Sequence, residues 1–123
     1  MKRFIIIGAI SAFLAVALGA FGAHGLEHKL SEKMMDTWEK AVDYQMFHTM
    51  GLFIVAFAAN KWQGSSLIKW SGIMMIIGIL LFSGSLYVLS TSGITPLGMI
   101  TPFGGVSFLA GWTLLALASY KSA

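Results

Sequence analysis

Four apolar runs, Phe4–Gly22, Tyr44–Asn60, Leu67–Leu89 and Pro102–Ser119, take up most of the chain, and none contains an acidic residue. A run of roughly 18 or more apolar residues is what a helix needs to cross a hydrocarbon core of about 30 Å. Within lipid the backbone must satisfy its own hydrogen bonds, so such runs are helical. The chain is 57% hydrophobic and only 11% charged, with mean hydropathy +0.80. That is too little charge to cover a water-soluble globule. The expectation is an all-α integral membrane four-helix bundle, a single domain over residues 1–123. The second run is the shortest and reaches span length only by counting its polar first turns, where Tyr44, Gln45, His48 and Thr49 stand.

The start, Met1-Lys2-Arg3 before an apolar run and the small residues of "ALGAFGA", also fits a cleavable signal peptide. It is expected to be retained as the first helix. Zero cysteines exclude disulfides, thiol chemistry, cysteine ligation of haem or iron–sulfur clusters, and palmitoylation. Basic residues near span ends tend to stay cytoplasmic. Placing both termini inside puts Lys2, Arg3, Lys61, Lys69 and Lys121 there, against Lys29, Lys33 and Lys40 outside. All five acidic residues, Glu27, Glu32, Asp36, Glu39 and Asp43, fall in the first outer loop. The net charge of +3 suits contact with anionic membrane lipid and gives no ground for a nucleic-acid partner.

Between the first two spans, "LSEKMMDTWEKAVDYQMF" offers Ser31 as a helix cap. Met34, Met35, Trp38, Ala41 and Val42 recur at helical spacing, with charges on the other faces. This is a short amphipathic helix at the outer interface that runs into the second span. The first span carries Ala15, Gly19 and Ala23 four residues apart, a row of small side chains that lets helix backbones approach, within one chain or between two copies in a homo-oligomer. Two near-copies, Ile94-Thr95-Pro96-Leu97-Gly98 and Ile100-Thr101-Pro102-Phe103-Gly104, suggest threonine caps before proline, the first on a short turn and the second opening the fourth span. Trp112 falls near the bilayer middle, where its N–H needs a protein partner; a neighbouring helix is expected to supply it.

Threading the spans up and down brings the notable polar groups to the outer end. His24 closes the first helix and Tyr44 and His48 share a face of the second. Ser83, Ser85, Tyr87 and Ser90 end the third, and Thr101 begins the fourth. His24, Tyr44, His48, Ser85, Tyr87, Thr101 and Trp112 are the ligand-binding candidates, and His24, Tyr44, His48, Tyr87 and Thr101 are expected to form one network at a common depth. The "FSGSLY" segment lacks the flanking glycines of a nucleophile elbow, so Gly84 is assigned to helix packing.

The segments "GAFGAHGLE", "AVDYQMFHTMGL", "LFSGSLYVLSTSG" and "ITPFGGVSFLAGW" resemble the successive signatures of the small four-span family called domain of unknown function 423, whose relatives are termed transmembrane protein 256-like. The resemblance covers nearly the whole chain in order. It implies a four-helix protein of the bacterial plasma membrane and carries no established reaction, ligand or catalytic residue.

Three functional classes compete. A structural or binding bundle uses its outer polar cluster to hold helices together, or to hold lipid, a small ligand or a partner, with no catalytic residue, cofactor or metal. A small-solute or proton transporter or channel has a histidine relay through His24 and His48 to recommend it, but no buried carboxylate. A histidine-ligated cofactor protein rests on His24, His28 and His48 alone, without a carboxylate at ligand spacing.

Overall fold

The computed structural model of the protein describes residues 1–122. Helix α1 covers Lys2–Gly25, α2 Glu32–Lys61 and α3 Ser66–Gly78. A π-helical turn, Ile79–Ser83, joins α3 to α4, Gly84–Ser92, and a 3-10 turn, Thr95–Met99, leads to α5, Thr101–Ser122. Because α3, the π turn and α4 run on as one span, the described residues form four helices long and apolar enough to cross a membrane. The end that carries the α1–α2 loop and all five acidic residues is the acidic end; the opposite one, where α1 starts and α5 finishes, is the terminal end.

Local chemistry explains the breaks. Ser31 accepts the Met34 amide at 3.2 Å and caps α2, as its sequence context predicts. The stretch read as a short amphipathic helix is the opening of α2 itself, since no proline or glycine interrupts the chain before Gly51. Trp38, Ala41 and Val42 are buried there, while Glu32, Lys33, Asp36, Glu39 and Lys40 stay exposed. At 1.5 Å per residue α2 is about 45 Å long, so its charged first turns stand beyond a core of about 30 Å. Gly64 (φ 82°) turns the chain between α2 and α3, and Gly93 (φ 73°) ends α4 in the left-handed region.

The two threonine–proline copies do start a 3-10 turn and α5, but not by side-chain capping. Ile94 is the cap residue of the 3-10 turn, without a side-chain bond, and the Thr101 hydroxyl pairs with Ser85 Oγ at 2.6 Å. Pro102 has no N–H, and the Phe103 amide already donates to Ile100 O at 3.0 Å, which leaves the Thr101 hydroxyl free to bridge to α4.

Helix α2 lies at the centre: 56% of its apolar window is buried, against 11% for α1 and 22% for the fourth span. α1 packs along α2, and α5 packs along α3 and the π turn. The face α1 turns to α2 is Gly8, Ser11, Ala15 and Gly22. Steps of four residues advance about 40° round a helix, whereas steps averaging 3.5 hold one face. Hence Gly22 replaces the anticipated Ala23, which is exposed, and Gly19 is half-buried against Val42. Ala15 and Gly19 of the row thus meet α2 within the chain, and Ala23 does not.

Glycines seat aromatic rings from facing helices: Trp38 over Gly22, Phe4 over Gly72 and Phe108 over Gly78. Gly104 meets the Phe82 backbone directly. Gly84, assigned to packing from sequence, faces open space, because the crossing of α5 over the π turn falls at Gly104 and Gly78 instead. Serines tie the helices at the same places: Ser71 donates to Gly111 O, Ser107 to Met74 O and Ser83 to Ala41 O, each at 2.7 Å. Among the described residues no buried side-chain nitrogen or oxygen lacks a partner. That is the condition lipid imposes.

Candidate functional site

Two pairs on α2, Tyr44 with His48 and Gln45 with Thr49, are each spaced four apart and lie about 100° from one another round the helix. They serve different neighbours. Tyr44 and His48 look toward α5, and Gln45 and Thr49 look toward α1 and α4.

On the α1 side, the Thr49 hydroxyl donates to Gln45 O and the Ser11 hydroxyl to Thr49 Oγ1, both at 2.7 Å, the direction that gives every hydroxyl one acceptor. Gln45 Nε2 donates to Ser11 O at 3.0 Å and reaches Ser11 Oγ at 3.3 Å, while the Tyr87 hydroxyl donates to Gln45 Oε1 at 2.6 Å. This chain ties α1, α2 and α4 with every member satisfied. Tyr87 reaches it because the π turn adds a residue ahead of α4 and turns the side chains that follow.

Above this polar floor lies a lateral groove of about 370 Å³ between α1 and the third span. Its walls are Ile7, Ile10, Leu14 and Leu18 on one side and Ile76, Ile79, Leu80 and Gly84 on the other; Ser11, Gln45, Ser83 and Tyr87 form the floor. Toward the acidic end, Trp38 packs edge-on against Tyr87, centroids 4.8 Å apart, and donates Nε1–H to Leu18 O at 3.0 Å.

On the α5 side, the His48 ring stacks on Phe108 with centroids 3.4 Å apart and planes 10° from parallel. Trp112 Nε1 donates to His48 Nε2 at 3.0 Å, and His48 Nδ1 lies 2.9 Å from Tyr44 O. Indole N–H only donates and a carbonyl only accepts, so His48 is the neutral ring with its proton on Nδ1, donating to Tyr44 O. Both ring nitrogens are thereby engaged. The partner expected for Trp112 on a neighbouring helix is His48.

The nominated residues therefore fall into separate groups rather than one network. Tyr44, His48 and Trp112 belong to the aromatic cluster, Tyr87 to the Gln45 chain, and Ser85 with Thr101 to a pair at the acidic end. Trp112 sits about 16 Å along α5 from Thr101, so the groups differ in depth as well. His24 is exposed at the end of α1, off the face that α1 turns to α2. Ser11, Thr49 and Ser83 were not nominated from sequence. Ser11 carries a readable signal, as a hydroxyl in the middle of "IIIGAISAFLAV". Among the described residues no three histidine, aspartate or glutamate side chains converge as metal ligands.

The family model described as "Protein of unknown function (DUF423)" matches residues 18–105. The chain belongs to this family. It is 53% identical to the UPF0382 membrane protein YwdK of Bacillus subtilis (strain 168), over 98% of each chain. It is 50% identical to a UPF0382 membrane protein of Staphylococcus epidermidis (strain ATCC 12228 / FDA PCI 1200), over 100% of this chain and 99% of the relative. With the UPF0382 membrane protein SH2409 of Staphylococcus haemolyticus (strain JCSC1435) it shares 49% identity over 98% of each. No solved structure matches the chain. In this DUF423 member the matched segment contains the Gln45–Tyr87 bond, the Ser85–Thr101 pair and Gly104, and ends before Phe108 and Trp112.

Proposed function

We propose that this DUF423 protein is a non-catalytic membrane binding bundle that holds a lipid acyl chain in the groove between α1 and the third span. The observation that carries this reading is the combination of aliphatic walls with a floor whose polar atoms are already paired to one another. Every donor on that floor is already committed and the walls are aliphatic, so hydrocarbon is the complementary occupant. A proton relay has less support, since His48 has both nitrogens engaged and His24 stands apart and exposed.

Gly84 gives the test. Gly84 lines the groove, and a Cβ added there meets nothing within 4 Å, so a longer side chain at this position competes with an occupant of the groove. Native mass spectrometry of the detergent-purified wild type is expected to show retained lipid, and Gly84→Leu to show none while melting at the same temperature. Equal lipid retention by the two proteins would remove the groove as the binding site.

We further propose that both termini face the cytoplasm of a bacterial plasma membrane, because the terminal end holds Lys2, Arg3, Lys61, Lys69 and Lys121. A cysteine at Ser31 should react with an impermeant thiol reagent on intact cells and one at Ser65 should not. The reverse labelling pattern would invert the topology.

A further inference from the structure

The terminal end contains a second cavity, of about 850 Å³, bounded by the start of α1 and the α2–α3 turn. Lys2, Arg3 and Lys69 line it, and no acidic side chain does. The five acidic side chains of the protein all belong to the opposite end, between Glu27 and Asp43. Lys61 takes no part in the lining; its ammonium lies 5.4 Å from the centre of the Trp62 ring.

This cavity adjoins the lateral groove. Ile7 and Ile76 line both. Arg3 precedes Ile7 by about one helical turn, and Lys69 precedes Ile76 by about two. An apolar groove thus abuts a basic chamber, lined by no carboxylate, at the end of the span, where phospholipid headgroups lie.

We propose that the chamber binds the phosphate of an anionic phospholipid whose acyl chain occupies the groove. This rests on the acyl-chain reading of the groove and names the lipid class. The Arg3 guanidinium can pair two phosphate oxygens at once, and Lys2 and Lys69 supply point charges on long apolar stems that lie along the hydrocarbon. A free phosphate would use the chamber and leave the groove empty. A zwitterionic phosphatidylcholine would bring a quaternary ammonium among three cations. An anionic lipid satisfies the chamber and the groove with one molecule.

The test is titration of the full-length protein in detergent with phosphatidylglycerol and with phosphatidylcholine of identical acyl chains, followed by native mass spectrometry. Wild type is expected to prefer phosphatidylglycerol by roughly tenfold. The triple variant Lys2→Gln, Arg3→Gln, Lys69→Gln should lose that preference yet still bind both lipids and melt unchanged, and Lys61→Gln should keep it. Equal affinity of wild type for the two lipids, or a preference that survives in the triple variant, overturns the headgroup site and leaves the groove reading standing. Release of phosphatidylglycerol by inorganic phosphate would make the chamber a free-anion site and overturn the lipid assignment. Failure to bind either lipid overturns the groove reading itself.

Discussion

Gly104 and Gly105 are neighbours in sequence near the start of α5, yet an added methyl group should have opposite effects at the two. A Cβ on Gly104 would sit 2.7 Å from Phe82 Cβ and 2.8 Å from Phe82 Cα, with the Phe82 amide nitrogen closer still. Ordinary contact begins at 3.4 Å, so α5 and the π turn would have to separate by at least about 0.7 Å, the difference between 3.4 and 2.7 Å, and by more to clear the amide nitrogen. The obstacle is backbone and cannot rotate away. Overpacking of this kind costs about 1 to 3 kcal/mol. The Ser85–Thr101 and Ser107–Met74 hydrogen bonds flank the contact, and each would weaken by up to about 0.6 kcal/mol as the helices part. A Cβ on Gly105 meets nothing within 4 Å, and replacing glycine by alanine in a helix gains up to about 1 kcal/mol. Glycine to alanine brings the same helix gain at Gly104, so unfolding in graded SDS, followed by circular dichroism, should show Gly104→Ala destabilised by about 1 to 3 kcal/mol and Gly105→Ala unchanged or more stable. Equal midpoints for the two variants would refute the close crossing of α5 on the third span.

The other expectations follow from the same packing. Trp112→Phe leaves His48 Nε2 without its donor and should cost about 1 to 2 kcal/mol, with a coupling to His48→Leu of about 1 kcal/mol in a double-mutant cycle; additive losses would mean that the bond contributes nothing. Gly22→Ala would put a methyl 2.6 Å from Trp38 Cδ1 and should destabilise by about 1 to 3 kcal/mol, whereas Gly19→Ala, 3.4 Å from Val42 Cγ1, should be nearly neutral; the opposite order would displace the α1–α2 seam from Gly22. Gln45→Leu removes the junction of Ser11 and Tyr87 and should loosen α1, read as faster amide exchange in α1 than in α5; uniform exchange would count against Gln45 as the tie.

The four spans, the Ser31 cap, the 3-10 turn at Thr95 and the need of Trp112 for a partner were all legible in sequence, because each depends on residues close together in the chain or on one unavoidable cost. Helix rotation was not. Whether Ala23 or Gly22 faces α2 depends on how far the helix winds over seven residues, and Gly84 and Gly104 look alike until the crossing point is known. The same limit explains His24: its place at a helix end was readable, but the direction it faces is set by the packing of Ala15 and Gly22. The π turn over Ile79–Ser83 has no evident sequence signal, and it decides which of Ser83, Ser85 and Tyr87 meets which partner. The groove exists because α1 and the third span stand apart above Gln45, a property of two helices that neither sequence shows alone.

Photocrosslinking tests the groove most directly. The protein, reconstituted with a phospholipid that bears a diazirine partway along its acyl chain, is irradiated and its labelled residues are mapped by mass spectrometry. Adducts should concentrate on Ile10, Leu14, Ile79 and Leu80 in the groove, well above those on Phe103, Val106 and Leu109, which are exposed on α5. Labelling spread evenly over all lipid-facing residues would mean that the groove holds lipid no more firmly than the rest of the surface, and would contradict the proposed binding role.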